Sequence, residues 1–178
     1  MVKTASTMLP LGTTAPDFIL KDINHNANFH LLSHVKNCKG FVIMFICNHC
    51  PYVKHINHGL VKLTEDYQNS GIAFIAINAN DPQSYPDDSP ENMKITANEE
   101  GYVFPYLFDE TQEVAKVMHA ACTPDFFMFN AKRELVYRGH TIPVTGNDLR
   151  YALDCLLANK KNEQEQKPSL GCNIKWKA

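Results

Sequence analysis

A chain of 178 residues, 44% apolar and 20% charged, is long enough to bury one sizeable core and short for two. Seventeen basic residues against nineteen acidic ones leave a formal net charge of −2, so no basic field attracts nucleic acid or anionic lipid, and neither is expected as a partner. No apolar run approaches the ~18 residues of a membrane span, and residues 1–14 hold no apolar block of signal-peptide length. Both point to a cytoplasmic protein, where six cysteines stay thiols unless they are catalytic or metal-bound.

Residues 8–34 form a first unit. Pro10, Gly12 and Pro16 break the backbone, and 18–20 and 29–32 read as short strands about the polar turn 22–26, a hairpin-like N-terminal addition. Phe41-Val42-Ile43-Met44-Phe45-Ile46 reads as a buried strand that stops at Cys47-Asn48-His49-Cys50. Val53, Ile56, Leu60, Val61 and Leu63 then share one helical face up to the stop signal Asn69-Ser70-Gly71, and 72–77 is a second buried strand. A right-handed βαβ crossover places Cys47 at the C-terminal edge of a parallel pair, where sites in open α/β sheets lie.

Residues 78–101 read as an insertion: a polar loop with three prolines, then a helix over about 91–100 with Ser89 as N-cap, Pro90 in its first turn and Gly101 as its stop. A short strand at 106–108 and a helix over 111–121 follow, the latter with Val114, Ala115, Val117 and Met118 inward. Strands at 126–129 and 134–138 form a hairpin, and 147–159 is the last helix. The polar segment 160–167 is expected to be a flexible linker, and Leu170, Cys172, Ile174 and Trp176 alternate beyond it as a tail that docks. The class is α/β, with a central mixed sheet and flanking helices.

The chemistry sits in the two cysteines. A thiol attacks as its thiolate, and Cys47 is expected where a strand ends and a helix begins, facing unpaired N–H groups and the positive end of the helix dipole. His49 could add positive charge, and Cys50, one turn on, is placed to attack a mixed disulfide formed at Cys47. A zinc site drawing on His55 and His58 is the competing reading, but four intervening residues are few for a finger. No metal is expected, and both histidines read as solvated helix residues.

Cys47-Asn48-His49-Cys50, taken with Thr123-Pro124 and Phe126-Phe127-Met128-Phe129, resembles the thioredoxin superfamily. Ala15-Pro16-Asp17-Phe18-Ile19-Leu20-Lys21-Asp22 is similar to the opening of its redoxin branch, which holds the AhpC/TSA peroxiredoxins and the ResA- and TlpA-related thiol-disulfide reductases. Cys-Pro-Tyr-Val at 50–53, Tyr-Pro-Asp-Asp-Ser-Pro-Glu-Asn-Met at 85–93, Cys-Thr-Pro-Asp at 122–125 and Gly-Cys-Asn-Ile-Lys-Trp at 171–176 resemble one group of uncharacterised thioredoxin-like proteins over almost the whole chain.

The resemblance implies a thioredoxin-like domain over 1–159, with 160–178 as linker and tail, and a cis Pro124 facing the dithiol with the Thr123 backbone left free to pair with substrate. It implies thiol-disulfide exchange through Cys47 and Cys50 without a cofactor, on a protein or small-molecule disulfide, with a thiol system as electron donor or acceptor. Departures are as informative. Phe41 stands where thioredoxins keep a buried Asp, Val53 where ResA-like proteins keep a Glu, and Ile46 where Trp precedes the motif. The His before the second cysteine is shared with disulfide isomerases and DsbA and implies a less reducing couple than thioredoxin's.

Two other functions stay open. Cys50-Pro51 matches the peroxidatic cysteine of peroxiredoxins, with Cys47 in the place of their Thr, which would make the protein a thiol peroxidase with antioxidant activity. A redox-inert binding module using the 78–93 loop and the tail is the other. Cys122 and Cys172 are candidates for a thiol relay with the dithiol, or else packed small hydrophobes. Cys38 and Cys155 read as structural.

Overall fold

The computed structural model describes residues 3–139 and 146–178. In chain order its elements are β1 (Lys3–Ala5), β2 (Ile19–Asp22), β3 (Ala27–His30), α1 (Leu31–Val35), β4 (Gly40–Phe45), α2 (Pro51–Tyr67), β5 (Ile72–Asn78), α3 (Pro90–Glu100), β6 (Tyr106–Phe108), α4 (Glu113–Val117), β7 (Cys122–Thr123), β8 (Asp125–Asn130), β9 (Leu135–Arg138), α5 (Asn147–Leu157) and β10 (Leu170–Asn173). A seven-stranded mixed sheet runs β3-β2-β6-β5-β4-β8-β9, and a small second sheet runs β1-β10-β7. β4 is central. It pairs parallel with β5 and antiparallel with β8, and every one of its residues is buried.

Burial on both faces explains why β4 reads as a continuous apolar run rather than an alternation. Val42 and Met44 pack on one face with Val53, Ile56, Leu60 and Leu63 of α2 and with Leu149 and Leu153 of α5. Phe41, Ile43 and Phe45 pack on the other with Leu31 and Val35 of α1 and Val114 and Ala115 of α4. Each fully buried large side chain contributes roughly 1.5–3 kcal/mol against exposure, so this strand fixes the level at which Cys47 emerges.

The expected N-terminal hairpin is β2-β3, held to β6 at the far edge of the sheet. In α3 the Ser89 hydroxyl accepts from Asn92 N–H, Pro90 occupies the first turn, and Gly101 takes the left-handed conformation at φ 72° that ends it. The helix expected over 111–121 is shorter, because Gln112 (φ 63°) and His119 (φ 53°) both adopt left-handed backbone and confine it to Glu113–Val117. Asp109 Oδ2 caps it instead, accepting from Ala115 N–H at 2.8 Å.

The C-terminal tail docks by adding a strand. β10 lies between β1 and β7, pairing Cys172 with Lys3 on one side and with Thr123 on the other. Lys175 extends the attachment: its N–H donates to Asn80 Oδ1 at 2.8 Å, and its carbonyl accepts from Asp81 N–H and from Gln112 Nε2 at 2.9 Å each. The polar linker is tied down at Gln166, whose Oε1 accepts from Arg138 N–H and whose Nε2 donates to Val136 O, both at 3.1 Å. Among the described residues no helix is long and apolar enough to cross a membrane.

Candidate active site

The chain leaves β4 at Phe45, and Ile46 N–H still donates to Ile77 O at 3.0 Å, so Cys47 begins the connection to α2 from a fixed point. Asn48 anchors that connection. Its backbone N–H donates to Asp88 Oδ1 and its Nδ2 to Asp87 O, both at 2.7 Å, while its Oδ1 accepts from the Tyr106 hydroxyl at 3.0 Å. Cys50 is the extended N-cap of α2, with Pro51 beginning the helix. Asp87 and Asp88, within the stretch 78–101 read from sequence as an insertion, therefore form one wall of the dithiol turn.

Both sulfurs converge on the residue before the cis peptide Thr123-Pro124. Cys47 Sγ lies 3.2 Å from Thr123 Oγ1, and Cys50 Sγ lies 3.2 Å from Thr123 O. Cys50 Sγ also stands 2.9 Å from Cys172 Sγ, well beyond the ~2.05 Å of a disulfide bond. Three thiols thus meet at one point, and the dithiol is closed: Cys47 is 1% exposed and Cys50 0%. The expectation that the Thr123 backbone is left free for substrate is corrected here. β10 of the chain itself fills that edge, because its Gly171 presents no side chain to the loop, where a Cβ would overlap Thr123 O.

The surroundings act on the two thiols in opposite directions. Burial pushes Cys47 well above the usual thiol range, with the hydrogen bond to Cys50 and the nearby Asp88 carboxylate adding to it. Cys50 is held low, first by the hydrogen bond from Cys47, against its own burial, then by the Cys172 thiol and the N–H groups of Val53 and Cys172. The physical reason is the donor set. The first turn of α2 and the tail strand both present donors to Cys50, and Cys47 is left next to an acid.

His49, read from sequence as a source of further positive charge beside the dithiol, is paired with a buried acid. Its Nδ1 meets Asp88 Oδ2 at 2.5 Å and its ring stacks on Tyr85 with centroids 5.0 Å apart. Nε2 is buried and, among the described residues, without a hydrogen-bond partner. Cys47 Sγ, a His49 nitrogen and an Asp88 oxygen all lie within 4.8 Å of one another, a group that among the described residues could ligate a metal, though His49 and Asp88 already satisfy each other. His55 and His58 lie exposed along α2.

Cys122 is buried, but its sulfur points to the carbonyls of Pro124 and Ser169, at 3.8 and 4.0 Å. Two carboxylates escaped sequence reasoning. Asp88 is fully buried and holds His49, Asn48 and Asn80. Asp125 follows the cis proline, is fully buried, and is pushed up to about 7 by burial, against the Ser169 and Ser6 hydroxyls. The signal for both was present in the motif blocks at 85–93 and 122–125, each of which carries an acid beside a proline turn.

The sequence profile of the AhpC/TSA family matches residues 11–138. A solved structure of an uncharacterised conserved protein from Geobacillus kaustophilus is 52% identical, with a TM-score of 0.96 over 99% of this chain and 97% of that one. A hypothetical protein from Sinorhizobium meliloti 1021 is 43% identical, with a TM-score of 0.95 over 98% and 99%. The thiol-disulfide oxidoreductase ResA of Geobacillus thermodenitrificans is 25% identical over 153 residues, 86% of this chain and 82% of that protein. The fold is thioredoxin-like, in the redoxin branch.

Proposed function

Given that the chain belongs to the AhpC/TSA family, we propose that it is a thiol-disulfide oxidoreductase working through the Cys47-Cys50 dithiol and a mixed-disulfide intermediate. The observation that carries this reading is the convergence of both sulfurs, each at 3.2 Å, on Thr123 beside the cis proline. Cys47 passes its proton to the Cys50 sulfur and attacks a substrate disulfide, forming a mixed disulfide and releasing one substrate thiol. Cys50, once deprotonated, attacks Cys47 Sγ and expels the second thiol. The substrate gains two electrons and the dithiol becomes a disulfide, which an external thiol system then reduces. The chemistry needs neither metal nor organic cofactor.

In this reading residues 1–159 are the thioredoxin-like domain and 160–178 its cover. The substrate is a disulfide of a protein or small molecule, and a cytoplasmic setting keeps the remaining thiols reduced. Thr123 and Pro124 position the substrate once β10 has moved aside.

Trapping tests it. Cys50→Ser incubated with oxidised glutathione accumulates a glutathione adduct at Cys47, found by mass spectrometry, while wild type turns over. Turnover by wild type with no adduct at Cys47 overturns the assignment. A second reading, thiol peroxidase with Cys50 as the attacking sulfur, is favoured by the donors gathered on Cys50. Peroxide consumption lost in Cys50→Ser and kept in Cys47→Ser selects it.

A further inference from the structure

We propose that Cys172 is a third redox thiol of this site. It exchanges with an oxidised Cys47-Cys50 pair to form a Cys50-Cys172 disulfide that fastens β10 across the dithiol. The proposal rests on the dithiol reading above and adds a covalently closed state to it.

Three independent features place Cys172 there. Its sulfur is 2.9 Å from Cys50 Sγ, so Cys50 is the central sulfur of the trio, with Cys47 on one side and Cys172 on the other. The strand that carries it pairs Cys172 with Thr123 and Asn173 with Cys122, occupying the edge where an extended substrate would lie. Gly171 allows that approach, since a side chain at this position would collide with the Thr123 carbonyl and crowd Pro124 N. A packed cysteine needs only apolar neighbours; this one is aimed at a reactive sulfur by a strand, a glycine and the Lys175 anchor to Asn80 and Gln112.

The exchange balances without an external oxidant. The Cys172 thiol attacks Cys50 Sγ, the Cys47-Cys50 bond breaks, and Cys47 leaves as the thiol, taking up the proton that Cys172 gives up. One disulfide is broken and one is formed, and the oxidation level of the protein is unchanged. The product differs from the ordinary oxidised form in two respects: Cys47 is again a thiol, and the tail, otherwise held by hydrogen bonds, is now covalently attached over the site. Substrate is shut out until a reductant opens the Cys50-Cys172 bond.

The test uses the full chain. Protein is oxidised in glutathione buffers, acid-quenched, alkylated with N-ethylmaleimide and digested with trypsin under non-reducing conditions. Residues 40–54 carry Cys47 and Cys50, and residues 162–175 carry Cys172. The expected product is these two peptides joined, with maleimide on Cys47. The joined pair, without the maleimide, persists in Cys47→Ser treated with oxidised glutathione. It is lost in Cys172→Ser, where oxidised protein collects as Cys47-Cys50 and the glutathione ratio at half-oxidation moves towards more oxidising buffers. Cys172 found fully alkylated, with only the Cys47-Cys50 disulfide formed, overturns this proposal and leaves the dithiol reading standing. Failure to find a Cys47-Cys50 disulfide in any form, Cys172→Ser included, overturns both.

Discussion

Asp88 has no exposed surface, and burial alone would push its carboxyl up, yet His49, Asn80 and the Asn48 N–H together hold it below the usual carboxylate range. Asp88→Asn keeps the shape and removes the charge, leaving His49 Nδ1 and the Asn48 amide competing for one weaker acceptor. Loss of about 2–4 kcal/mol in urea unfolding is expected. The same change removes a charge that raises Cys47, so in a Cys50→Ser background the pH at which Cys47 alkylates falls. An unchanged alkylation profile places Asp88 in a purely structural role.

Asp125 behaves in the opposite sense. Its folded value, pushed up to about 7, lies above the ~3.9 of an unfolded Asp, so between those values the folded state binds more protons than the unfolded one. Its contribution to stability is full below about pH 4 and is lost as pH rises towards 7. Cys50 and His34, both lowered on folding, work the other way across that window, so the wild-type slope is mixed. The difference between proteins isolates the effect: Asp125→Asn gains on wild type by a few kcal/mol between about pH 4 and 7 and by nothing more above it. A pH-independent difference shows that Asp125 is ionised in the fold.

At the scale of elements, β10 is what closes the site, and Gly171 is where it fits. Gly171→Ala drives a methyl group into the Thr123 carbonyl, so the strand must shift or detach. Alkylation of Cys47 and Cys50 by iodoacetamide, slow in the wild type because both are buried, rises at least about tenfold, the factor that 1.4 kcal/mol of lost closure supplies. A variant labelled at the wild-type rate shows that β10 does not gate access.

What the sequence disclosed about these elements follows the range of the interactions that make them. β4, α2, β5 and the Ser89-capped α3 are set by periodicity and capping within a few residues, and these were legible. The strand pairing of β10 with β7 joins residues about fifty apart through backbone hydrogen bonds. Alternation in 170–176 announced a docked tail but could not name its partner. The electrostatics of the dithiol were legible only in part. The C-x-x-C spacing identifies the dithiol and carries the largest influence on Cys50, the hydrogen bond from Cys47, while the further lowering by the Cys172 thiol comes from a sulfur 122 residues away. The local helix-terminus argument, applied to Cys47, left out both that donor and the buried Asp88 beside it.

For the molecule as a whole, the two sheets differ in how firmly they are held. The seven-stranded sheet is covered on both faces by apolar side chains, whereas β1-β10-β7 is small and short-stranded: its tail strand and the residues just beyond it reach the core through Cys172 and Ile174 and are otherwise held by the strand pairings and by polar contacts of Lys175 with Asn80 and Gln112. Regions with few apolar contacts open at lower free energy than the global transition. The tail should therefore release before the core melts, and the dithiol should become reactive at that point. In a urea series, iodoacetamide labelling of Cys47 and Cys50 is expected to reach its midpoint below the far-ultraviolet circular dichroism midpoint, with Cys155 on α5 labelling only with the latter. Three coincident curves would mean that the tail belongs to the same cooperative unit as the core, and that substrate reaches the sulfurs by another route.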